Sequence, residues 1–368
     1  MMEVHMGIED LIARLGTNKA EGSSMAPGVP YQNIPGVPIM AHREHSEVRA
    51  ATIAEMVPVS GKTILDLGCN VGTISGYLSL LGAEVTGLDH DEHSIAVAKE
   101  VHAKNGNANF DVATIDLDLI KSLPHFDIIV WLSQFNWLAK QRGLEYALEC
   151  LWEIGKHCDT LVFETAGRGD GQASLDYSQE EILNLLCKNT IFRDIQDRGQ
   201  WNDLWTPRNV FVCQRPLIKH EGFFAETYPG EIGTVLKVYK EWEYSKQTKD
   251  RYAMFLKILS PFGVVPQIKA ETADTILMSW EGPQARFLPE RDLTKILHVL
   301  KKADITHRDI TPENLTFNGE GIMLLDFSFA VFPNEVTMVS KDLGGKYKCP
   351  HGFNDEYSLR KIQQELLR

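Results

Sequence analysis

Two short stretches of the chain carry residue types and spacings that could do chemistry. The first runs from Ile64 to Asp89, ILDLGCNVGTISGYLSLLGAEVTGLD. Ile64, Leu65 and Leu67 read as a short buried strand, and Gly68, Cys69, Asn70, Val71 and Gly72 as a tight turn. Thr73 to Leu81 continue with helical apolar spacing, and Ala83 to Leu88 form a second buried strand that ends in Asp89. Glycines let the backbone approach a ligand closely. An acid at a strand's carboxyl end accepts hydrogen bonds from ribose hydroxyls, so the layout is that of a nucleoside-binding α/β unit. The second stretch is HRDITPENLTFNGEGIMLLDFSF, in which Asp309 stands five residues before Asn314. A short apolar hairpin separates these two from Asp326-Phe327-Ser328.

In the first stretch Asp66 stands where a dinucleotide fingerprint has a glycine. D-x-G-x-N-x-G resembles the first motif of class I S-adenosylmethionine-dependent methyltransferases, with Asn70 in place of the middle glycine. The resemblance implies that Gly68, Asn70 and Gly72 pack against the methionine moiety, that Asp66 orients it and that Asp89 holds the ribose. It also gives Asp116, after the strand Phe110 to Ile115, a role in accepting from the adenine amino group; capping a helix is the alternative. No Asn-Pro-Pro-Tyr or Asp-Pro-Pro-Tyr run follows Asp127, and no Pro-Cys nucleophile occurs, so a small-molecule, sugar, phosphate or lipid-linked acceptor is favoured over DNA.

The second stretch resembles the catalytic loop and metal-binding turn of the protein-kinase-like fold. Phosphoryl transfer is mostly positioning and charge neutralisation, which explains why it needs two carboxylates and an amide at fixed spacing. The resemblance makes Asp309 the base or hydroxyl orienter, Asn314 and Asp326 the Mg²⁺ ligands, and Lys237 in VLKVY the lysine on the ATP phosphates. Leu277 to Trp280, with Met278 and Trp280, would be the hinge that receives adenine. The sequence departs from the pattern at three places. Ser328 replaces a glycine, Thr311 replaces a lysine, and no G-x-G-x-x-G precedes Lys237. The acid that should partner Lys237 is open among Glu241, Glu243 and Asp250.

These residues need a scaffold, and 368 residues suggest two domains of ordinary size. Residues 1–30 read as a loose arm or lid with an amphipathic piece from Ile8 to Leu15. Residues 31–215 alternate strands and helices, which predicts a mostly parallel sheet flanked by helices. The expected elements are helices at His42 to Met56, Ser94 to Asn105, Leu144 to Lys156 and Gln179 to Lys188, and strands at Phe126 to Leu132, Thr160 to Glu164 and Val210 to Cys213. A mobile loop is expected over Thr165 to Ser174. Tyr31, Arg43 and Arg49 are candidates for the cofactor carboxylate or the acceptor, or are a solvated helix face. Ser133, Gln134, Trp137, Glu164, Arg168, Trp201 and Arg208 lie at or beyond strand ends, where ligands bind in such sheets. Trp201 and Trp205 either stack on a sugar ring or belong to the core.

Arg215-Pro216 reads as a seam. Residues 217–368 then give a hairpin, a helix from Trp242 to Leu259, strands at Gln267 to Ala270 and Thr275 to Trp280, and a helix from Arg291 to Lys302. Leu343 to Pro350 resembles a reduced activation segment. Asp355 to Leu367 reads as a helix whose Asp355 braces the catalytic loop. This is a small α+β kinase-like domain with a reduced second lobe.

A net charge of −13 argues against broad nucleic-acid binding. The six cysteines are scattered without metal spacing, which predicts reduced thiols in a cytosolic protein. No secretory leader or membrane-spanning run is legible. In order and content the pairing resembles the bifunctional kinase–methyltransferases that terminate bacterial O-antigen polysaccharides. The resemblance implies ATP, Mg²⁺ and S-adenosylmethionine as cofactors and a sugar, glycan or other small-molecule acceptor. It also implies a cytoplasmic location, with peripheral attachment at the inner face of the membrane through a glycosyltransferase partner. No stretch resembling that family's long coiled coil is legible within these 368 residues. A methyltransferase carrying a nucleotide-sensing pseudokinase, and a kinase acting on a protein partner, are the alternatives.

Overall fold

A computed structural model describes residues 7–15, 28–43, 45–169, 176–201, 208–335 and 343–367. Trp205, most of the expected arm and the end of the expected loop at Thr165 to Ser174 lie outside them. The chain forms two compact units, one of Met1–Gln179 with Gln196–Gln214, the other of Glu180–Ile195 with Arg215–Arg368. The second therefore takes residues 180–195 in addition to everything beyond the expected seam.

The first unit is built on a seven-stranded sheet: β1 (Thr63–Leu67), β2 (Glu84–Asp89), β3 (Ala108–Val112), β4 (Phe126–Leu132), β5 (Cys158–Glu164), β6 (Phe192–Gln200) and β7 (Asn209–Pro216). Their order is β3-β2-β1-β4-β5-β7-β6. Neighbours from β3 to β5 run parallel and β7 pairs antiparallel with β5. The helices are α1 (Ile8–Ala13), α2 (Ser46–Met56), α3 (Thr73–Leu80), α4 (Glu92–Val101), α5 (Leu117–Ser122), α6 (Gln134–Arg142) and α7 (Leu144–Ile154), while α8 (Gln179–Asn189) belongs, past its first residue, to the second unit. This is the Rossmann-like, mostly parallel methyltransferase fold that the sequence predicted.

The central strands β1, β4 and β5 are largely continuous apolar runs because the sheet is covered on both faces there. Ile64, Leu65 and Leu67 are fully buried, and Ile64 packs with Val85, Val130, Ile53 and Leu78 in one cluster. Fully burying each such side chain stabilises by roughly 1.5–3 kcal/mol. The strand order reverses between β1 and β4, and in open α/β sheets the crevice beyond the carboxyl ends at such a point is where ligands bind. Asp66, Asp89, Ser133 and Glu164 all stand at those ends.

The second unit has a five-stranded sheet ordered β11-β12-β10-β9-β8. It consists of β8 (His220–Glu221), β9 (Ala225–Pro229), β10 (Thr234–Tyr239), β11 (Ile268–Glu271) and β12 (Thr275–Ser279). The long helix α9 (Glu243–Leu259) separates β10 from β11. Helix α10 (Glu290–Lys302), the small hairpin of β13 (Leu315–Phe317) and β14 (Ile322–Leu324), and helix α11 (Asp355–Leu366) complete it. It is a separate sheet-containing region, as the sequence predicted. No described helix is long and apolar enough to cross a membrane. Among the described residues five cysteines are buried, Cys349 is half-buried, and none forms a disulfide.

Candidate functional site

In the first unit the turn after β1 passes through three left-handed positions, Gly68 (φ +81), Asn70 (φ 52) and Gly72 (φ +77). Asparagine is among the few residues that tolerate this region, which explains how it can replace a motif glycine. The turn ends on α3, whose first N–H, at Thr73, is accepted by the Gln32 side chain at 3.2 Å. A Cβ on Gly68 would fall on the Gln134 side chain.

Asp89 is buried at the end of β2. Its two oxygens accept from Asn70 N and Asp91 N, both at 2.9 Å, and His90 Nδ1 lies 3.2 Å away. Asp66 accepts from Ser75 Oγ at 2.6 Å. Burial raises the Asp66 carboxyl to about 6; the Ser75 bond opposes this, Asp89 adds to it and Arg49 opposes it again. A glycine-type cradle beside two buried strand-end acids fits a nucleoside bearing an amino acid. Asp66, Gly68, Asn70, Gly72 and Asp89 are the residues that would hold S-adenosylmethionine. Asp116 caps α5, accepting from Leu119 N at 2.9 Å, which is the capping role that the sequence left open.

Beside this cradle lies a buried polar group. Glu164, fully buried at the end of β5, accepts from Ser133 Oγ and from Arg208 Nη1, both at 2.9 Å. Arg208 Nη1 also donates to Ser133 Oγ at 2.8 Å. On its other oxygen Glu164 is ion-paired with Arg49. The Arg49 guanidinium stands 4.6 Å from the Trp201 ring, so Trp201 serves the buried group rather than a free face. Arg43 Nε donates to the Tyr31 hydroxyl at 3.2 Å. Arg168, expected beside these arginines, is instead exposed four residues past β5 and pairs with Asp176 Oδ1 at 3.0 Å.

In the second unit Lys237, inward-facing on β10, puts Nζ 3.2 Å from Asp326 Oδ1 and 4.1 Å from the Tyr252 ring centroid. Burial acts to lower the Lys237 pKa, and Asp326 outweighs it and raises it. Burial acts to raise Asp326, and Lys237 and the Ser328 hydroxyl outweigh it, holding it at about 2. None of Glu241, Glu243 and Asp250 partners Lys237; the α9 residue that packs on it is Tyr252. A buried ring accepts an ammonium through its π face, so cation–π contact replaces the expected ion pair.

Asp309 accepts from Gly344 N at 2.9 Å, and Asn314 Nδ2 donates to the Asp309 carbonyl at 2.8 Å. With the amide nitrogen engaged, the Asn314 oxygen is the atom left for a cation. Burial raises the Asp309 carboxyl; the Gly344 N–H and His307 oppose this, and Asp326 adds to it. Asp326 has left-handed φ 56 and accepts from Ser328 N at 3.3 Å and from the Ser328 hydroxyl. Ser328 thus restrains the carboxylate where the motif has a glycine. Two oxygens from Asn314 and Asp326 beside an ammonium fit Mg²⁺ and nucleotide phosphates. At the expected hinge Met278 is buried, with Tyr252 Oη 3.8 Å from its sulfur. Trp280 gives its backbone N–H to Gly233 O at 2.9 Å and its indole N–H to Cys187 O at 3.1 Å, so neither is offered to adenine.

Sequence reasoning did not single out Gln32, Ser75, Tyr252 or Gly344. Only Gly344, in a Gly-Gly pair, left a mark in the sequence.

The comparisons agree with the first unit's fold. The family model described as Tellurite resistance protein TehB matches residues 40–148. The chain is 40% identical over 84 residues to a probable S-adenosyl-L-methionine-dependent methyltransferase TehB of Haemophilus influenzae, covering 23% of this chain and 29% of that protein. It is 39% identical over 146 residues to a ubiquinone biosynthesis O-methyltransferase of Coxiella burnetii, covering 39% of this chain and 60% of that one. The match thus spans less than two thirds of either relative. These similarities support an S-adenosylmethionine-dependent methyltransferase domain. Among solved structures, the bifunctional kinase-methyltransferase WbdD is similar over 88% of this chain and 82% of its own, at 19% identity and a TM-score of 0.45. A magnesium protoporphyrin IX methyltransferase of Synechocystis with bound S-adenosylmethionine is similar over 47% of this chain and 79% of its own, at 20% identity and a TM-score of 0.38.

Proposed function

We propose that the protein is a bifunctional transferase. The second unit phosphorylates a sugar or glycan hydroxyl with Mg-ATP, and the first methylates the resulting phosphate with S-adenosylmethionine, in surface polysaccharide (O-antigen) synthesis. The observation that carries the kinase half is the convergence of Lys237, Asp309, Asn314 and Asp326 within one unit. Lys237 would steady the phosphates, Asn314 and Asp326 the cation, and Asp309, held by Gly344 N, would orient the attacking hydroxyl. When bound, ATP supplies the phosphoryl group and S-adenosylmethionine an electrophilic methyl group.

A phosphate monoester is largely ionised near neutral pH, its second pKa being about 6. Its oxygen needs no general base, which suits a cleft whose polar side chains include arginines. The acceptor reaches the enzyme at the inner face of the membrane, delivered by a glycosyltransferase partner. Mg-dependent ADP release with free sugars or a glycan, lost in Asp309→Ala, tests the kinase half. No turnover with any acceptor would sink it.

A second reading is a nucleotide-sensing pseudokinase attached to the methyltransferase. It is favoured by the missing α9 acid and by Ser328 at the metal turn. Under it nucleotide raises the melting temperature but is never hydrolysed.

A further inference from the structure

Helix α9 offers Lys237 no acid, yet it is tied to the metal turn by other means. Tyr252 packs on the Lys237 ammonium, and two neighbours on the same helix reach the segment that follows β14. Phe255 is fully buried, with its ring centroid 6.2 Å from that of Phe327 and 5.2 Å from that of Phe332. Arg251, one turn earlier, forms a forked pair. Its Nη1 donates to Glu335 Oε1 at 3.1 Å and its Nη2 to Glu335 Oε2 at 2.8 Å. Nη2 also donates to the Ala330 carbonyl at 3.0 Å.

Glu335 is tied into its own segment. Its Oε2 accepts from Phe332 N at 2.8 Å, and its N–H donates to Phe332 O at 3.3 Å around Asn334, which is left-handed at φ 64. Val331, in the same stretch, exchanges two backbone bonds with Thr306, at 2.9 and 3.0 Å, three residues before Asp309. The stretch from Ala330 to Glu335 therefore joins α9, the Asp326 turn and the loop that carries Asp309. The Arg251 bond holds Glu335 below the ordinary carboxylate range; burial opposes this and the Phe332 N–H adds to it, so the fork is ionised at neutral pH. The Arg251 and Glu335 side chains are 29% and 33% exposed. An isolated exposed pair contributes little, but a bidentate arginine within a network of shared partners is the exception.

We infer that Arg251 and Glu335 are positioning residues for the phosphoryl transfer proposed above: the fork holds Asp326 in register with Lys237, in place of an acid on α9. The inference rests on the kinase reading. A carboxylate that holds a cation on nucleotide phosphates must stay aligned with the lysine that meets the same phosphates, because the reaction depends on positioning. Asp326 has a left-handed backbone, φ 56, a conformation that the surrounding structure must impose. The fork supplies that restraint from α9, the helix that also presents Tyr252 to Lys237.

The test uses the full chain with ADP and Mg²⁺ or Mn²⁺ as probes, so that no acceptor is required. Calorimetry reads ADP affinity with and without Mg²⁺, and electron paramagnetic resonance reads Mn²⁺ held in the ADP complex. Removing a group that orients a metal ligand costs roughly 10–100-fold in metal affinity. Arg251→Gln and Glu335→Gln should each weaken Mn²⁺ binding in the ADP complex by about tenfold or more, while metal-free ADP affinity stays within about twofold. The double variant should be no worse than either single one, since the two side chains act as a unit. Arg251→Lys keeps the charge without the fork and should fall between Arg251→Gln and the unaltered protein. Unchanged Mn²⁺ binding in both single variants would overturn the inference. So would metal-free ADP affinity falling in step with Mn²⁺, which a general loosening of the unit produces, and so would additive losses in the double variant. Binding of ADP by the unaltered protein without any metal dependence would instead bring down the kinase reading and the inference with it, which separates the two failures.

Discussion

The Asp355 carboxylate accepts the backbone N–H of His307 at 2.7 Å, across 48 residues of chain. Its other oxygen takes the N–H of Arg308 at 3.1 Å, at a left-handed residue with φ 74. The first residue of the last helix therefore fixes the conformation of the loop that carries Asp309. Hydrogen bonds to a charged group are worth about 1.5–3 kcal/mol each. Asp355→Ala should lower the stability of the second unit by about 2–4 kcal/mol and reduce phosphoryl transfer more than nucleotide binding. Chemical denaturation and nucleotide titration check the two effects. Unchanged turnover would remove the bracing role.

Asp89→Ala should weaken S-adenosylmethionine binding by more than tenfold, since the ribose loses charge-assisted hydrogen bonds worth roughly 2–4 kcal/mol. Asp89 also receives the N–H groups of Asn70 and Asp91, so the same change should loosen the turn. Asp89→Asn keeps an acceptor for only one of these N–H groups and removes the charge, so its loss should fall between the wild type and Asp89→Ala. Calorimetry with all three proteins distinguishes these contributions.

Cofactor binding should weaken as pH falls below about 6, the pKa to which burial raises Asp66. The sign follows from the role proposed for Asp66: if this carboxylate orients the positively charged amino-acid end of the cofactor it must be ionised, and protonation removes its charge. The raised pKa also means that ionised Asp66 costs folding stability above the unfolded value near 4. Asp66→Asn should flatten the affinity profile between pH 5 and 7.5. A wild-type profile already flat there would refute the role.

The Lys237–Asp326 pair should be fully ionised across the working pH range. Asp326 is depressed, so its contribution to stability is complete above the unfolded value near 4 and is lost as pH falls toward 2. Lys237 is raised, so its contribution is complete below about 10.5 and is lost only above that. Acid melting curves of the wild type and Asp326→Asn should therefore converge below pH 4. Parallel curves would show that the pair does not set acid stability.

Asn70→Ala should cost about 1–2 kcal/mol, because alanine at φ 52 lacks asparagine's tolerance of the left-handed region. It also loses a 3.3 Å bond to Ser94 Oγ. Asn70→Gly removes the backbone penalty and loses only that bond, so it should melt well above Asn70→Ala.

The first unit's buried strands were legible because a strand covered on both faces must be apolar throughout: Phe126–Leu132 has the predicted limits. Strand β6 was not foreseen. Its sequence FRDIQDRGQ is largely polar and offers no alternation to read. Helices α5 and α6 were also missed: α5 is a single short stretch, Leu117–Ser122, and α6 begins at Gln134, two residues past the end of β4. The glycine turn and the four kinase-like polar residues were visible as ordered spacing. The partner of Lys237 was not, because Tyr252 meets it through tertiary packing and resembles any core aromatic. Arg168 shows the opposite error: strand-end position suggested a ligand contact, while the exposed loop gives it Asp176 instead.

The assignment of residues 180–195 to the second unit has a practical corollary for dissection. Trp280 Nε1 bonds Cys187 O, and Gln284 N bonds Arg193 O at 2.9 Å, so this segment is stitched to the second unit by its backbone carbonyls. Ile182, Leu185 and Leu186 are buried. A fragment stopping at Arg215 would keep this segment without its backbone partners at Trp280 and Gln284, and one starting at Leu217 would lack the segment. Neither half can be excised with a single cut, so the two enzymes proposed here are not interchangeable cassettes. Point substitutions that silence one activity in the intact chain are the sound way to assign each.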